Sequence, residues 1–536
     1  MVRDPDRLTA ATFDVLVVGG GIYGLTIAYD AAQRGLSVAL IERDDFGSGS
    51  SFNHLRTIHG GLRYLQTLDI ARARESIAER RTLARIAPHA VRQLPFVLPL
   101  YRSLSRGRLA MRAGFMLDRL VAFDRNRGVA DAHRLPAGRL VSRETAIQQF
   151  PGLRRQGLTG AAIWHDYVTV EADRLTFAWA QAAGDAGAVL ANHMEARALL
   201  IDSGRVVGAR AADRMSSRGS EIEIHARVTV NATGGQISRL VEPLAGATPT
   251  PLLKAMNLIT SRDAGDEALG GRSASGRNLF LVPWRGRALF GTWESGQPAS
   301  ADDNGIDERD ITSFIAELNQ VFPSLDLTRA DVTMVHRGLV PAVPAGDGRV
   351  SLQGHEQVRD EAEGVVSVAG AKYTTARRVA ERVTDHILTK LGRPPSPCRT
   401  ASVPLPGGSI RDVALAVGGA RREYDAGLPS DTIPHLVDAY GSRYRDVLNI
   451  AADRPDWRTR VAPGSPVIGA ELVWAARKEM AMTLADAMIR RTPLGALGFP
   501  GNQATQRAAE IVGGELGWSA DRTRDEIESV VRFYRN

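Results

Sequence analysis

Three glycines, Gly19, Gly21 and Gly24, stand in GxGxxG spacing between an apolar run, Val15 to Val18, and a segment of helical periodicity that reaches Arg34. Gly35 ends that segment and a second apolar run covers Val38 to Ile41, so Phe13 to Glu42 predicts one βαβ unit. Each glycine has its own physical reason. Gly19 lets the strand turn tightly, Gly21 lets backbone approach a pyrophosphate, and Gly24 lets the helix pack close to the sheet. The helix N-terminus offers N–H groups and partial positive charge to phosphates. Glu42 closes the second strand, where an acid accepts hydrogen bonds from an adenosine ribose and repels a 2′-phosphate, which argues against NADP. The pattern implies a dinucleotide without saying which one.

The loop after Glu42 is rich in glycine and serine. Ser50 and Ser51 are hydroxyl donors suited to phosphate oxygens, and Gly60 and Gly61 allow close approach to a flat ring. Arg56, His59 and Arg63 put charge beside them. A surface loop with solvated arginines reads equally well from these residues alone.

Further along, residues 70 to 86 predict a helix with a polar face, stopped near Pro88. Residues 102 to 127 carry seven arginines among Leu109, Met111, Phe115, Met116, Leu117, Leu120, Val121 and Phe123. Such a segment is either a helix with its charged side in water or one that lies on an anionic membrane. A strand ending in Asn231, with Ala232, Thr233, Gly234 and Gly235 after it, brings small residues to the mouth of a parallel sheet and favours a split, flavin-type dinucleotide domain. Residues 251 to 340 predict strands of a separate sheet with one helix at 306 to 322. The chain then returns through Val365 to Val368 and Gly370 to a helix opening at Lys372 to Thr375, a second anion site in which Thr374 and Thr375 can also be simple caps.

The expected fold is α/β: a GxGxxG Rossmann-like domain, discontinuous over 1–75, 165–245 and 360–395, with an inserted α+β substrate region at 76–164 and 246–359. Residues 396–409 predict a linker by their prolines and glycines, and 410–536 a small all-α domain, in which ELVWAARKEMAMTLADAMIRRTPLG is one of the clearest helices. Residues 1 to 12 look like a short polar leader.

A formal charge of +7 and a sequence pI of about 9.7, carried mostly by arginine, fit an anionic substrate or an acidic membrane surface, and no nucleic-acid motif accompanies them. Cys398 is the only cysteine, which excludes an intrachain disulfide, a cysteine-built zinc site and an iron–sulfur cluster. No early apolar run resembles a signal peptide, and no stretch has the roughly 18 uninterrupted apolar residues of a membrane span. The expected compartment is the reducing cytoplasm, with peripheral contact at the inner face of the cell membrane left open, as is a homodimer.

Four blocks resemble the FAD-dependent glycerol-3-phosphate dehydrogenase family, a branch of the D-amino-acid-oxidase-like flavoproteins: VVGGGIYGLTIAYDAAQRGLSVALIE, SSFNHLRTIHGGLRYLQ, VNATGG with AGAKYTTARRVAE, and EMAMTLADAMIRRTPLG. The resemblance implies FAD rather than NAD and a helical cap at the C-terminus. It puts the cofactor on Gly19, Gly21, Gly24 and Glu42, on Ser50, Ser51, Gly60 and Gly61 with Arg56 beside them, and on Thr233, Gly234, Gly370, Lys372 and Thr374. Arg63 matches an arginine that helps bind the substrate phosphate, and Lys372 a lysine near flavin and substrate. Arg337, Asn257 and Thr375 complete the expected substrate set, and His59, His336 and Lys372 are the candidate bases.

The chain departs from the family in three places. Val340 stands before Pro341 where the family has an arginine, the nearest arginine being Arg337. Asn257 stands where the family has a histidine, and Trp293 and Glu294 replace smaller or differently spaced polar residues. Loss of the guanidinium removes a bidentate phosphate clamp. The implied activity is oxidation of glycerol 3-phosphate or a related small anionic polyol, with electrons passed to a quinone or another acceptor. Alternatives are an oxidase of an amine, amino acid or hydroxy acid using dioxygen, and a non-catalytic flavoprotein.

Overall fold

The computed structural model describes residues 1–103, 107–150, 152–216, 219–244, 246–303, 305–424 and 427–535; residues 104–106 of the arginine-rich segment, and the expected domain edge at residue 245, lie outside them. The βαβ unit forms as its pattern demands, with strands Phe13–Val18 and Val38–Ile41 around the helix Ile22–Gln33. Both strands are buried throughout, as expected of a parallel sheet covered on two faces. The first strand lies between Val38–Ile41 and Glu221–Asn231, and Val365–Ala369 and Val189–Ala191 extend the parallel order on either side. All the strands that carry cofactor-class glycines at their ends therefore open toward one edge.

A second, ten-stranded sheet faces that edge. At its centre the strand Leu252–Thr260 pairs antiparallel with Arg287–Glu294 and Val332–Gly346. One side of these strands, with Met256, Leu258 and Phe290, packs on the helix Glu308–Val321 through Phe314 and Leu318. The other side, with Ile259, Leu289 and Met334, packs toward Phe52 and the C-terminal helices.

The N-terminal residues are no free leader. Leu8 is fully buried, and Arg3 forms a two-pronged ion pair with Asp213. The helix expected across 471 to 495 is also interrupted: an α-helix spans Gly469–Lys478, and a π-helical turn Asp486–Arg491 follows a non-helical connection. The break lies where Glu479, with no exposed surface, turns inward to Arg174, Trp474 and Gln181. A buried carboxylate held by three donors outweighs the helical propensity of the segment. The arginine-rich segment forms the helix Arg108–Val121, whose inner Phe115 packs on Leu100 and Ala162. Leu109, Met116 and Leu120 of this helix, and Phe123 just beyond it, are 61 to 82% exposed. Among the described residues, no helix is long and apolar enough to cross a membrane.

Candidate cofactor and substrate site

The two sheets and the C-terminal helices enclose one connected cavity of 2610 Å³. At its phosphate-class end stand Gly19, Gly21, Glu42, Ser50 and Ser51. Gly19 has φ +108°, and a side chain there would meet the Ala232 carbonyl at 2.6 Å. Gly24 lies behind the cavity: a Cβ would be 1.8 Å from the Gly19 carbonyl oxygen, so this glycine seats the helix on the turn. Ser51 Oγ accepts from the Ile22 N–H at the helix start, and Glu42 accepts from the N–H groups of Gly20 (2.6 Å) and Asp44 (2.9 Å). Burial raises the Glu42 carboxyl above its usual value, against those two backbone donors.

Farther in, the wall is formed by Gly61, Thr233, Gly234, Gly370, Lys372 and Thr374. Gly61 has φ +75°, and a Cβ on Gly370 would collide with the Tyr23 hydroxyl at 2.4 Å. These small residues leave a slot in which a flat ring can approach the backbone. Gly60 does not face it; its N–H donates to Asp166 (2.7 Å), and Arg80 occupies the place of a Cβ. Thr375 begins the helix Ala376–Lys390, but its hydroxyl makes no capping bond and is buried away from the cavity.

Arg56 also stands apart. It is fully buried between the rings of Phe52 and Trp284, at 5.2 and 4.9 Å, with Asp173 3.6 Å away. His336 is equally buried under Phe52, whose ring centroid lies 4.9 Å off, and burial holds it well below the usual imidazole range.

Sequence reasoning passed over Tyr64 although it sits in the quoted HGGLRYL block. Arg72 and Lys372 each stand 4.3 Å from its ring centroid, and Arg63 donates to its hydroxyl at 3.3 Å. Burial alone would raise this phenol; Arg63, Lys372 and Arg72 outweigh burial and hold it below its ordinary value. His59, on the cavity wall nearby, is lowered to about 3 by burial and by the same cations, so it is neutral at physiological pH. Burial lowers Lys372 as well.

On the opposing sheet, Asn257 pairs in register with His336, Ala255 with Gly338, and Leu253 with Val340. These residues share the face turned to the cavity side, whereas Arg337 is opposite Met256 and shares the face that packs on the helix Glu308–Val321. Arg337 does line the cavity, but from that other face, and Val340 leaves an apolar surface where the resemblance expects a guanidinium. Asn257 is tied at both ends, donating to the Asn53 carbonyl (2.7 Å) and accepting from Thr292 Oγ1 (2.8 Å). Next to Ala255 lies Glu294, on the cavity wall, its carboxylate without a hydrogen-bond partner among the described residues. Burial raises it, partly opposed by Arg277 and Arg63.

The glycine cradle, the helix start and the slot fit a flavin dinucleotide. The family model described as FAD dependent oxidoreductase matches residues 14–386, and that of the C-terminal domain of alpha-glycerophosphate oxidase matches 398–523. A glycerol-3-phosphate dehydrogenase of Synechocystis is 31% identical over 549 residues, covering 98% of this chain and 97% of its own. Glycerol-3-phosphate dehydrogenase 2 of Mycobacterium tuberculosis is 32% identical, covering 96% and 86%. The crystal structure of the Bacillus halodurans glycerol-3-phosphate dehydrogenase complexed with FAD superposes with a TM-score of 0.79 at 24% identity, over 99% of this chain and 96% of that one. The chain is thus an FAD-dependent oxidoreductase, and it belongs to the glycerol-3-phosphate dehydrogenase family.

Proposed function

We propose that this chain oxidises the secondary hydroxyl of glycerol 3-phosphate, or of a closely related small anionic polyol, to a ketone and passes the electrons to a quinone or another acceptor. One observation carries the reading: Arg63 and Lys372, which converge with Arg72 on the buried Tyr64, line the cavity and give it a cationic corner for an anionic group. Similarity along the whole chain to dehydrogenases of glycerol 3-phosphate favours this over an oxidase of amines or hydroxy acids.

FAD, along Gly19, Gly21, Glu42, Ser50, Ser51 and the slot glycines, supplies the two-electron acceptor for hydride from the substrate carbon. The chain's own residues do the rest. Arg63 and Lys372 bind and orient the anionic end. His59, neutral and weakly basic, accepts or donates one hydrogen bond but is a poor proton acceptor. Glu294 is the better-placed base, because its carboxylate lines the cavity with no hydrogen-bond partner among the described residues and burial increases its basicity. The hydroxyl proton passes to Glu294 as the carbonyl forms. The two sheets and the terminal helices support a division into a discontinuous cofactor domain, a substrate region and a helical region after residue 410.

The exposed stripe Leu109, Met116, Leu120 and Phe123, flanked by Arg112 and Arg119, docks on an anionic membrane and keeps a cytoplasmic enzyme peripheral at its inner face. Sedimentation with anionic vesicles tests this: loss of binding in Phe123→Glu supports it, and equal binding to neutral vesicles overturns it. Anaerobic titration with glycerol 3-phosphate, followed in the flavin's visible band, tests the activity. Bleaching is the expected result. An unbleached flavin would overturn the assignment and direct the search to other polyol phosphates, hydroxy acids and amines.

A further inference from the structure

The backbone just after Glu42 is fixed by residues more than a hundred positions away. Asp45 is 3% exposed and accepts from both terminal nitrogens of Arg491, at 2.5 and 2.7 Å, and from Asn192 Nδ2 at 2.9 Å. Arg491 belongs to the π-helical turn of the C-terminal region; its Nε donates to the Glu479 carbonyl, and its guanidinium lies 4.0 Å from the Phe177 ring centroid. Asn192 donates also to the Met480 carbonyl. The next residue, His193, donates its N–H to the Asp44 carbonyl (2.8 Å), and its Nε2 meets Asp486 Oδ2 at 2.9 Å. Asp486 in turn accepts the N–H groups of Met482 and Thr483.

These contacts converge on one carboxylate. Glu42 Oε1 is held by the Asp44 N–H, and Asp44 is held by His193 while its neighbour Asp45 is held by Arg491. The C-terminal region also reaches the cavity itself, whose wall near Asp44 and His193 includes Thr483, Asp486 and Arg522. An all-α appendage serving only as a cap over the substrate would need neither feature.

We propose that the C-terminal helical region completes the adenosine end of the FAD site, with Arg491, acting through Asp45, as the positioning residue that aims Glu42 at the cofactor's ribose. This rests on the FAD reading of the site and on no particular substrate. A lysine at 491 keeps the charge but cannot make the two-pronged contact.

The test uses the full-length holoenzyme, stripped of flavin and titrated with FAD by fluorescence, with melting temperatures of the apo and FAD-loaded forms. Arg491→Lys is expected to weaken FAD about tenfold, and the rise in melting temperature on adding FAD shrinks accordingly. A merely structural role would lower both melting temperatures together and leave FAD affinity unchanged, which overturns the proposal. Should Arg491→Lys not fold, Asp486→Asn and His193→Gln decide: weaker FAD binding in the folded variants supports the proposal, and wild-type affinity in both overturns it. Failure of the wild-type protein to take up FAD would instead remove the reading of the site on which the proposal stands.

Discussion

The glycine turn at 19 to 24 and the strands Leu252–Thr260 and Val332–Gly346 contribute to the same cavity, yet they tolerate change in opposite ways. In the turn, what matters is clearance between backbones, and a single Cβ at Gly19 or Gly24 would enter space already filled by a carbonyl. In the strands the backbone register accepts any side chain, so Val340 and Asn257 stand in intact pairing with Leu253 and His336. Cofactor recognition is therefore constrained by backbone sterics, whereas side chains on the substrate-side strands can change without cost to the register. The difference explains how the chain can keep its family's architecture with Val340 and Asn257 in the substrate-side strands.

The largest expected effect breaks the rigid side of the comparison. Gly24→Val drives a side chain into the Gly19 carbonyl and should leave purified protein almost without flavin, measured as visible absorbance per chain with circular dichroism as the folding control. Next comes the drifting side. Glu294→Gln should slow flavin reduction by about 10²- to 10⁴-fold. Because burial raises Glu294, the wild-type rate should fall as pH drops through that raised value, and the variant should lose this limb; Glu294→Asp should recover part of both. Rapid-mixing absorbance across pH measures all three.

Val340→Arg sharpens the comparison by restoring a guanidinium on the face shared with Asn257. It should lower the glycerol 3-phosphate concentration for half-maximal bleaching about tenfold; an unchanged or higher value would mean that the cavity has been rebuilt around a different anion. The smallest effect concerns the contact between the regions. Burial opposes the charged form of His193, but Asp486 outweighs it and raises the imidazole above its ordinary value. Its contribution to stability is complete below the unfolded histidine pKa of about 6.5 and is lost as pH rises through the higher folded value. Differential scanning should show a fall of order 1 °C across that window, absent in His193→Gln.

Much of the cofactor end was legible in the chain. Glycine spacing, a strand ending in an acid and small residues after Asn231 are local patterns, each dictated by backbone geometry over a few residues, and the structure brings Gly19, Gly21, Glu42, Thr233 and Gly370 to one cavity. Local patterns also marked Gly60, but its N–H is spent on Asp166, a partner 106 residues away. His336 looked like a base, and only the packing of Phe52 over it shows that it is sealed off. Arg337 looked like a replacement clamp; strand alternation sets it on the face opposite Asn257, from which it still lines the cavity.

By itself the sequence determined the βαβ unit, the dinucleotide cradle and the succession of a sheet, an inserted sheet and terminal helices, because these depend on periodicity and on the steric demands of glycine. Tertiary structure alone decided which charges meet. Tyr64 under three cations, Glu294 buried on the cavity wall, and Arg491 gripping Asp45 across 446 residues all depend on long-range packing, which sets burial and partner and so the protonation of each group.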